Sequence, residues 1–141
     1  IVSMSAIHHL DPVEKQTFYQ RCFDSLVPGA QFLNGDEVRP EHDAQYLPIL
    51  QEWVAMWEKG IASGNIPPGI HAALRGWTTR NVTRFGEPKQ SGDDCHETAG
   101  AQLQYRRAAG FNESKVIWHK KLWALLSAKK PLSADNGLSP K

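Results

Sequence analysis

The chain has 141 residues, with 16 Lys plus Arg against 15 Asp plus Glu, a formal charge of +1 and 40% apolar residues. That length suits one domain rather than an array, and the apolar content supports a packed core. A near-neutral balance without a long basic block excludes a dedicated nucleic-acid binder, whose phosphate contacts leave a clustered Lys/Arg footprint, so small molecules are the expected partners. No stretch approaches the ~18 apolar residues of a membrane span, and the first residues lack the basic and apolar regions of a signal peptide. The expectation is a soluble, cytoplasmic protein with no membrane partner. Cys22 and Cys95 are too few for a disulfide scaffold and form no CxxC pair, which predicts two reduced thiols.

Residues 1–4, Ile-Val-Ser-Met, read as the end of a buried strand, and the absence of an initiator Met predicts a piece of something longer. Asp11 is a good N-cap, Pro12 suits the first helical position, and Glu14 stands where a capping box places its acid. A helix is therefore predicted from Pro12, with Phe18, Tyr19, Cys22, Phe23 and Leu26 on its apolar face and Pro28-Gly29 as its stop. Residues 31–34 form a short extended run, closed by Gly35-Asp36-Glu37. From Pro40 the apolar spacing turns helical through Tyr46, Leu47, Leu50, Trp53, Val54, Trp57 and Ile61, with Pro48 expected to kink or start the helix. A second helix follows Pro67-Pro68 with Ile70, Leu74 and Trp77, then a loop rich in Gly, Pro and charge over 84–94. Together these make a helical insertion at about 40–94. A third helix is predicted over 97–108, stopped at Gly110, and the apolar runs 116–119 and 122–128 predict a terminal hairpin. Residues 131–141 are expected to be a disordered tail.

In order, these elements resemble the C-terminal half of class I S-adenosylmethionine-dependent methyltransferases. The resemblance rests on Ile1-Val2-Ser3-Met4-Ser5-Ala6-Ile7-His8-His9-Leu10, on Leu26-Val27-Pro28-Gly29-Ala30 with Phe32-Leu33-Asn34-Gly35-Asp36, and on Arg107-Ala108-Ala109-Gly110-Phe111. It spans the chain to Lys130. Ala30 departs from the Gly-Gly usual after the Pro, and the Gly-rich cofactor loop of the family is missing, since no GxGxxG or GxGxG occurs. The resemblance implies an α/β fold, a partial Rossmann-like sheet carrying strands 4 to 7 of the family order 3, 2, 1, 4, 5, 7, 6, with the insertion as a helical lid. It also implies S-adenosylmethionine as cofactor and methyl transfer to a small-molecule acceptor. Strand 4 would then present a bare edge, to be covered by a missing N-terminal half or a second copy of the chain.

The residues that could carry chemistry follow from position. His8 and His9 lie just past a strand, at the carboxyl ends where ligands bind in open α/β sheets. His8 is the candidate general base or substrate anchor, and His9 the one more expected to pack beneath the sheet. The resemblance places the cofactor against Ser3, Met4 and Ser5. Asp36 could assist deprotonation or bind an amine, against a bland reading as a solvated strand-end acid. Trp53, Trp57 and Trp77 could wall a substrate pocket or simply pack at helical spacing. Arg75, with Arg80, could pair with an acidic group, and similarity of the insertion to carboxy-S-adenosylmethionine synthases singles out Arg75. Neighbouring His8 and His9 point apart and no HxxxH or HExxH spacing exists, so no metal is expected. A competing reading is a non-catalytic binding or dimerisation module built on the half-sheet.

Overall fold

A computed structural model describes residues 1–132, so nearly all of the expected tail lies outside the described residues. Four strands form one sheet in the order β1-β2-β4-β3: β1 Val2–Met4, β2 Gln31–Glu37, β3 Asn112–Lys120 and β4 Trp123–Lys129. β1 lies parallel to β2, pairing Val2 with Leu33 and Met4 with Gly35, while β4 runs antiparallel between β2 and β3. A parallel pair needs a crossover, and α1 Pro12–Ser25 supplies it.

The start of α1 is fixed by its cap. Asp11 accepts from the Val13 and Glu14 amides, both at 2.8 Å, and Glu14 accepts from the Asp11 amide at 2.9 Å, completing the capping box. After the helix, Gly29 turns the chain at φ 79, and its amide donates to the Lys130 carbonyl at 3.0 Å, tying the turn to the end of β4.

β2 runs three residues further than the extended run 31–34, because β4 pairs with all of it, from Gln31–Lys129 to Glu37–Trp123. Alternation then sends Phe32, Asn34 and Asp36 to one face, where all are fully buried beside Ala124, Leu126 and Ala128 of β4. α1 and α4 Ala99–Ala108 cover this face. Tyr19 and Cys22 meet Phe32, Phe111 and Ala128, and Ala99 and Leu103 meet Ala124 and Leu126. Arg106 is fully buried here, its guanidinium 5.0 Å from the ring centres of both Tyr19 and Phe32. That stacking replaces a carboxylate partner. Gly110, at φ 104, ends α4 where a Cβ would lie 2.8 Å from the Phe23 ring.

On the opposite face Val2 and Met4 stand 78% and 71% exposed, and none of the described hydrophobic clusters covers them. The expected buried strand is thus an edge strand in this chain.

The insertion is more divided than its pattern suggests. α2 Asp43–Ala62 begins five residues before Pro48 and runs through it. Proline in the second turn costs one backbone bond, to the carbonyl of Ala44, an exposed residue that solvent can serve. After Pro67 a 3₁₀ turn Pro68–Ile70 leads into α3 His71–Thr78 and a π turn Thr79–Thr83, closed by the Arg84 amide on the Thr79 carbonyl at 2.9 Å. These helices pack Trp53, Trp77, Val82 and Phe85 around Tyr46, Leu50 and Leu122, the last from the β3–β4 turn. α4 starts two residues later than predicted, because Thr98 caps it through the Ala101 amide at 3.1 Å while Glu97 bonds Arg39 through its backbone. No helix among the described residues is long and apolar enough to cross a membrane.

Two substitutions test this account by urea denaturation. Phe32→Ala empties a fully buried site ringed by Phe18, Tyr19 and Phe111 and is expected to cost ~3–5 kcal/mol. Asp11→Ala removes only the cap and is expected to cost about 1 kcal/mol.

Candidate active site

The C-terminal end of β2 delivers Asp36 beneath the 3₁₀ turn Ile7–His9, and this junction builds the site. Asp36 is fully buried. Its carboxylate accepts from the Ile7 amide at 2.9 Å, the Glu37 amide at 3.0 Å and the Asn34 side-chain amide at 3.3 Å, and pairs with His8 Nδ1 at 2.6 Å. A buried carboxylate persists only when its lone pairs are filled this way. The solvated strand-end reading of Asp36 is thereby corrected.

The histidine pair is also reversed. His8 is the buried one, its side chain 6% exposed, whereas His9 is half exposed and faces Asp94 at 3.3 Å. Burial pushes the His8 pKa down, but the hydrogen bond and charge of Asp36 outweigh it, helped by Glu37 and Asp94, and the imidazole sits above its ordinary 6.5. Burial likewise pushes Asp36 up, and the bond and charge of His8, with the Glu37 amide and Asn34, hold it below 3.8. Asp36 thus fixes the Nδ1–H tautomer and leaves Nε2 on the side of Asp94, whose Oδ1 lies 3.9 Å away.

The segment before α4 closes over this pair. Gly92 and Cys95 donate backbone hydrogens to the carbonyls of His9 and His8, at 2.9 and 2.8 Å. Lys15, fully buried in α1, anchors the same segment through the Cys95 carbonyl and Glu97, the latter at 3.0 Å. His96 is thereby buried against β2, its Nε2 2.8 Å from Glu37 Oε2 and its Nδ1 in contact with the Tyr46 hydroxyl. Burial raises the Tyr46 phenol well above 10.0, so it remains a neutral hydroxyl. Asp94, Cys95 and His96 fall where the sequence shows only a charged loop running into a helix. Their one visible signal is an Asp-Asp-Cys-His cluster just ahead of a Thr cap.

A cavity of about 430 Å³ opens beside His8, lined also by Glu37, Trp53, Trp57, Trp77 and Asp94. The Trp57 and Trp77 rings meet edge to face at 4.7 Å, and the Trp77 indole N–H donates to Asp94, so the aromatic wall is joined to the acidic one. The fold therefore brings together His8, Asp36, Trp53 and Trp57 from the predicted set. It does not bring Arg75 there. Arg75 lines a separate groove behind Trp57 and Leu74, and Arg80 lines the cavity instead. Ser3, Met4 and Ser5 lie at the open end of β1, where Ser5 takes φ 48 and turns the chain out of the strand. Met4 lies across Gly35, where a Cβ would stand 2.5 Å from the Met4 sulfur and push that exposed side chain aside.

No protein-family model and no curated protein sequence matches the chain. Solved structures do. PigF with SAH aligns at a TM-score of 0.54 and 13% identity, over 92% of this chain and 29% of PigF. Human N-acetylserotonin methyltransferase in complex with SAM aligns at 0.53 and 11%, over 92% and 28%. A possible exported protein from Bordetella parapertussis aligns at 0.53 and 16%, over 92% and 38%. The fold is one shared with these structures, a methyltransferase among them, and the chain spans well under half the length of each.

The His8–Asp36 pair has a defined pH signature. His8, raised, stabilises the fold fully below 6.5 and ceases to as pH rises through its folded value; Asp36, lowered, does so above 3.8 and ceases to as pH falls through its own. The pair is expected to stabilise most between those limits. In Asp36→Asn that maximum should be lost, and the His8 midpoint, followed by NMR of its imidazole carbons, should fall.

Proposed function

We propose that this chain supplies the acceptor side of an S-adenosylmethionine-dependent methyltransferase domain acting on a small molecule. The observation that carries this reading is His8, held in one tautomer by buried Asp36 and lining a cavity walled by Trp53 and Trp57. The shared fold with methyltransferase structures supports it. In this reading β1 to β4 correspond to strands 4 to 7 of the family sheet, which the order β1-β2-β4-β3 supports, and the insertion serves as a lid.

Ser3, Met4 and Ser5 fit one wall of the cofactor site. The sharp turn at Ser5 leaves the end of β1 open, with Met4 exposed across the bare Gly35. When bound, S-adenosylmethionine supplies a sulfonium methyl carbon, whose transfer to the acceptor leaves the former carbon–sulfur pair on sulfur. The chain's own residues orient the acceptor and take its proton. Trp53 and Trp57 hold an apolar or aromatic acceptor, and His8 Nε2 receives the proton released from its heteroatom. The resulting imidazolium is stabilised by Asp36, as in any base whose partner carboxylate fixes it. The free edge of β1 and its exposed Val2 and Met4 call for a neighbour, namely the remainder of the domain or a second copy of the chain. The same edge favours one further reading, the half-sheet as a dimerisation surface.

In the complete enzyme His8→Gln is expected to lower kcat about 100-fold or more while cofactor affinity changes little, and the wild-type rate should rise with pH through a value above 6.5. Equal losses in rate and cofactor affinity would remove the base role. By titration calorimetry the isolated chain should bind S-adenosylmethionine weakly or not at all, and micromolar binding would show that this wall suffices. In light scattering the chain alone should self-associate and Val2→Lys should reduce that, because a charge on an exposed edge strand opposes pairing.

A further inference from the structure

We infer that His8, Glu37 and His96 form a binding site for a divalent transition-metal ion. The three come from separate segments, the 3₁₀ turn after β1, the end of β2 and the approach to α4, so no local spacing announces them. Each offers a ligand atom within 4.8 Å of the other two.

The Nδ1 atom of each ring is already engaged, which leaves Nε2 as the ligand atom. His8 Nδ1 is taken by Asp36 at 2.6 Å, and His96 Nδ1 by the Tyr46 hydroxyl. In both rings Nε2 is left over. His96 is 8% exposed, and its Nε2, although 2.8 Å from Glu37 Oε2, has no aligned hydrogen-bond partner. With Nδ1–H given to the Tyr46 oxygen, His96 Nε2 turns a lone pair toward the Glu37 carboxylate, and an ion held between the two would convert that contact into coordination. Outer partners of this kind, a carboxylate on one imidazole and a hydroxyl on the other, orient ligating histidines in metal sites.

The donor set fixes the class of ion. Two imidazoles and one carboxylate suit zinc, iron, cobalt or nickel, whereas magnesium and calcium prefer oxygen throughout. Three protein ligands leave further positions, and the adjoining cavity gives an exogenous ligand access to them. Ligands about 2.0–2.2 Å from a tetrahedral ion lie about 3.3–3.6 Å apart, so the 2.8 Å Glu37–His96 edge would open. That adjustment needs only a rotation of the Glu37 side chain at the end of β2. A metal on His8 Nε2 occupies the lone pair assigned above to proton abstraction, so metal-loaded and base-competent states exclude each other. Metal binding can be measured without cofactor or acceptor, and its failure would leave the methyl-transfer reading untouched.

The test is titration of this chain with Zn²⁺ and Co²⁺, followed by calorimetry, by the visible absorption of bound Co²⁺ and by NMR of the imidazole carbons. One ion per chain is expected, with perturbation of His8 and His96 rather than His42, His71 or His119. Glu37→Gln and His96→Gln should each weaken binding at least tenfold, and Asp36→Asn by about 10–100-fold through the outer partner. His9→Gln should leave affinity unchanged, which separates this site from the more exposed group His8, His9 and Asp94. Circular dichroism establishes that each variant is folded, and the wild-type NMR assignment stands even if one is not. Absence of stoichiometric binding, perturbation confined to the other histidines, or wild-type affinity in folded Glu37→Gln and His96→Gln would overturn the proposal.

Discussion

A carboxylate buried at the end of a strand must be given donors by whatever folds over it, and Asp36 imposes that demand on this molecule. Four donors answer it, two from backbone amides at Ile7 and Glu37 and two from the side chains of Asn34 and His8. Satisfying Asp36 draws the turn after β1 down onto β2. It also orients His8 and leaves one imidazole nitrogen free beside the cavity. The site is a consequence of solvating one charge without water.

A second buried charge closes the site from the other side. Lys15 lies in α1 with no exposure and reaches the segment that carries Asp94, Cys95 and His96. Because that segment is also zipped by backbone bonds to the carbonyls of His8 and His9, its position depends on α1 and on the 3₁₀ turn together. Charge and backbone pairing, more than apolar area, hold this corner. Apolar packing dominates elsewhere, in the Tyr19, Phe32 and Phe111 cluster and in the Trp53, Trp77 and Tyr46 group. Arg106 belongs to the first of these, because its guanidinium stacks on two rings and behaves as part of the core.

The sheet is finished on one face only. α1 and α4 cover Phe32, Asn34 and Asp36, while Val2 and Met4 remain in solvent on a strand with one neighbour. An unpaired apolar edge of this kind leaves its backbone N–H and C=O groups open to another strand. It lies next to the residues proposed for the cofactor, so whatever covers it also completes that wall.

Local chemistry was written in the sequence. The capping box at Asp11 and Glu14, the stops at Pro28-Gly29 and Gly110, the hairpin around Lys120-Lys121 and the helical spacing of the tryptophans each depend on residues a few positions apart, and each is found in the structure. His8 and Asp36 were legible as strand-end residues, since the position of a strand end follows from the local pattern. What the pattern could not fix was any relation between distant segments. Which histidine of the pair turns inward is set by Asp36, 28 residues away. The length of β2 is set by pairing with β4, and Pro48 is tolerated because the carbonyl it leaves free belongs to an exposed residue. Arg75 is separated from His8 by Trp57 and Leu74, which only the packing of α2 on α3 decides. Glu37 and His96 meet across 59 residues of chain, and Tyr46 and His96 across 50. Spacing encodes a helix or a turn because the backbone repeats, whereas a site assembled from three segments has no period, and only the closed fold brings its atoms within reach.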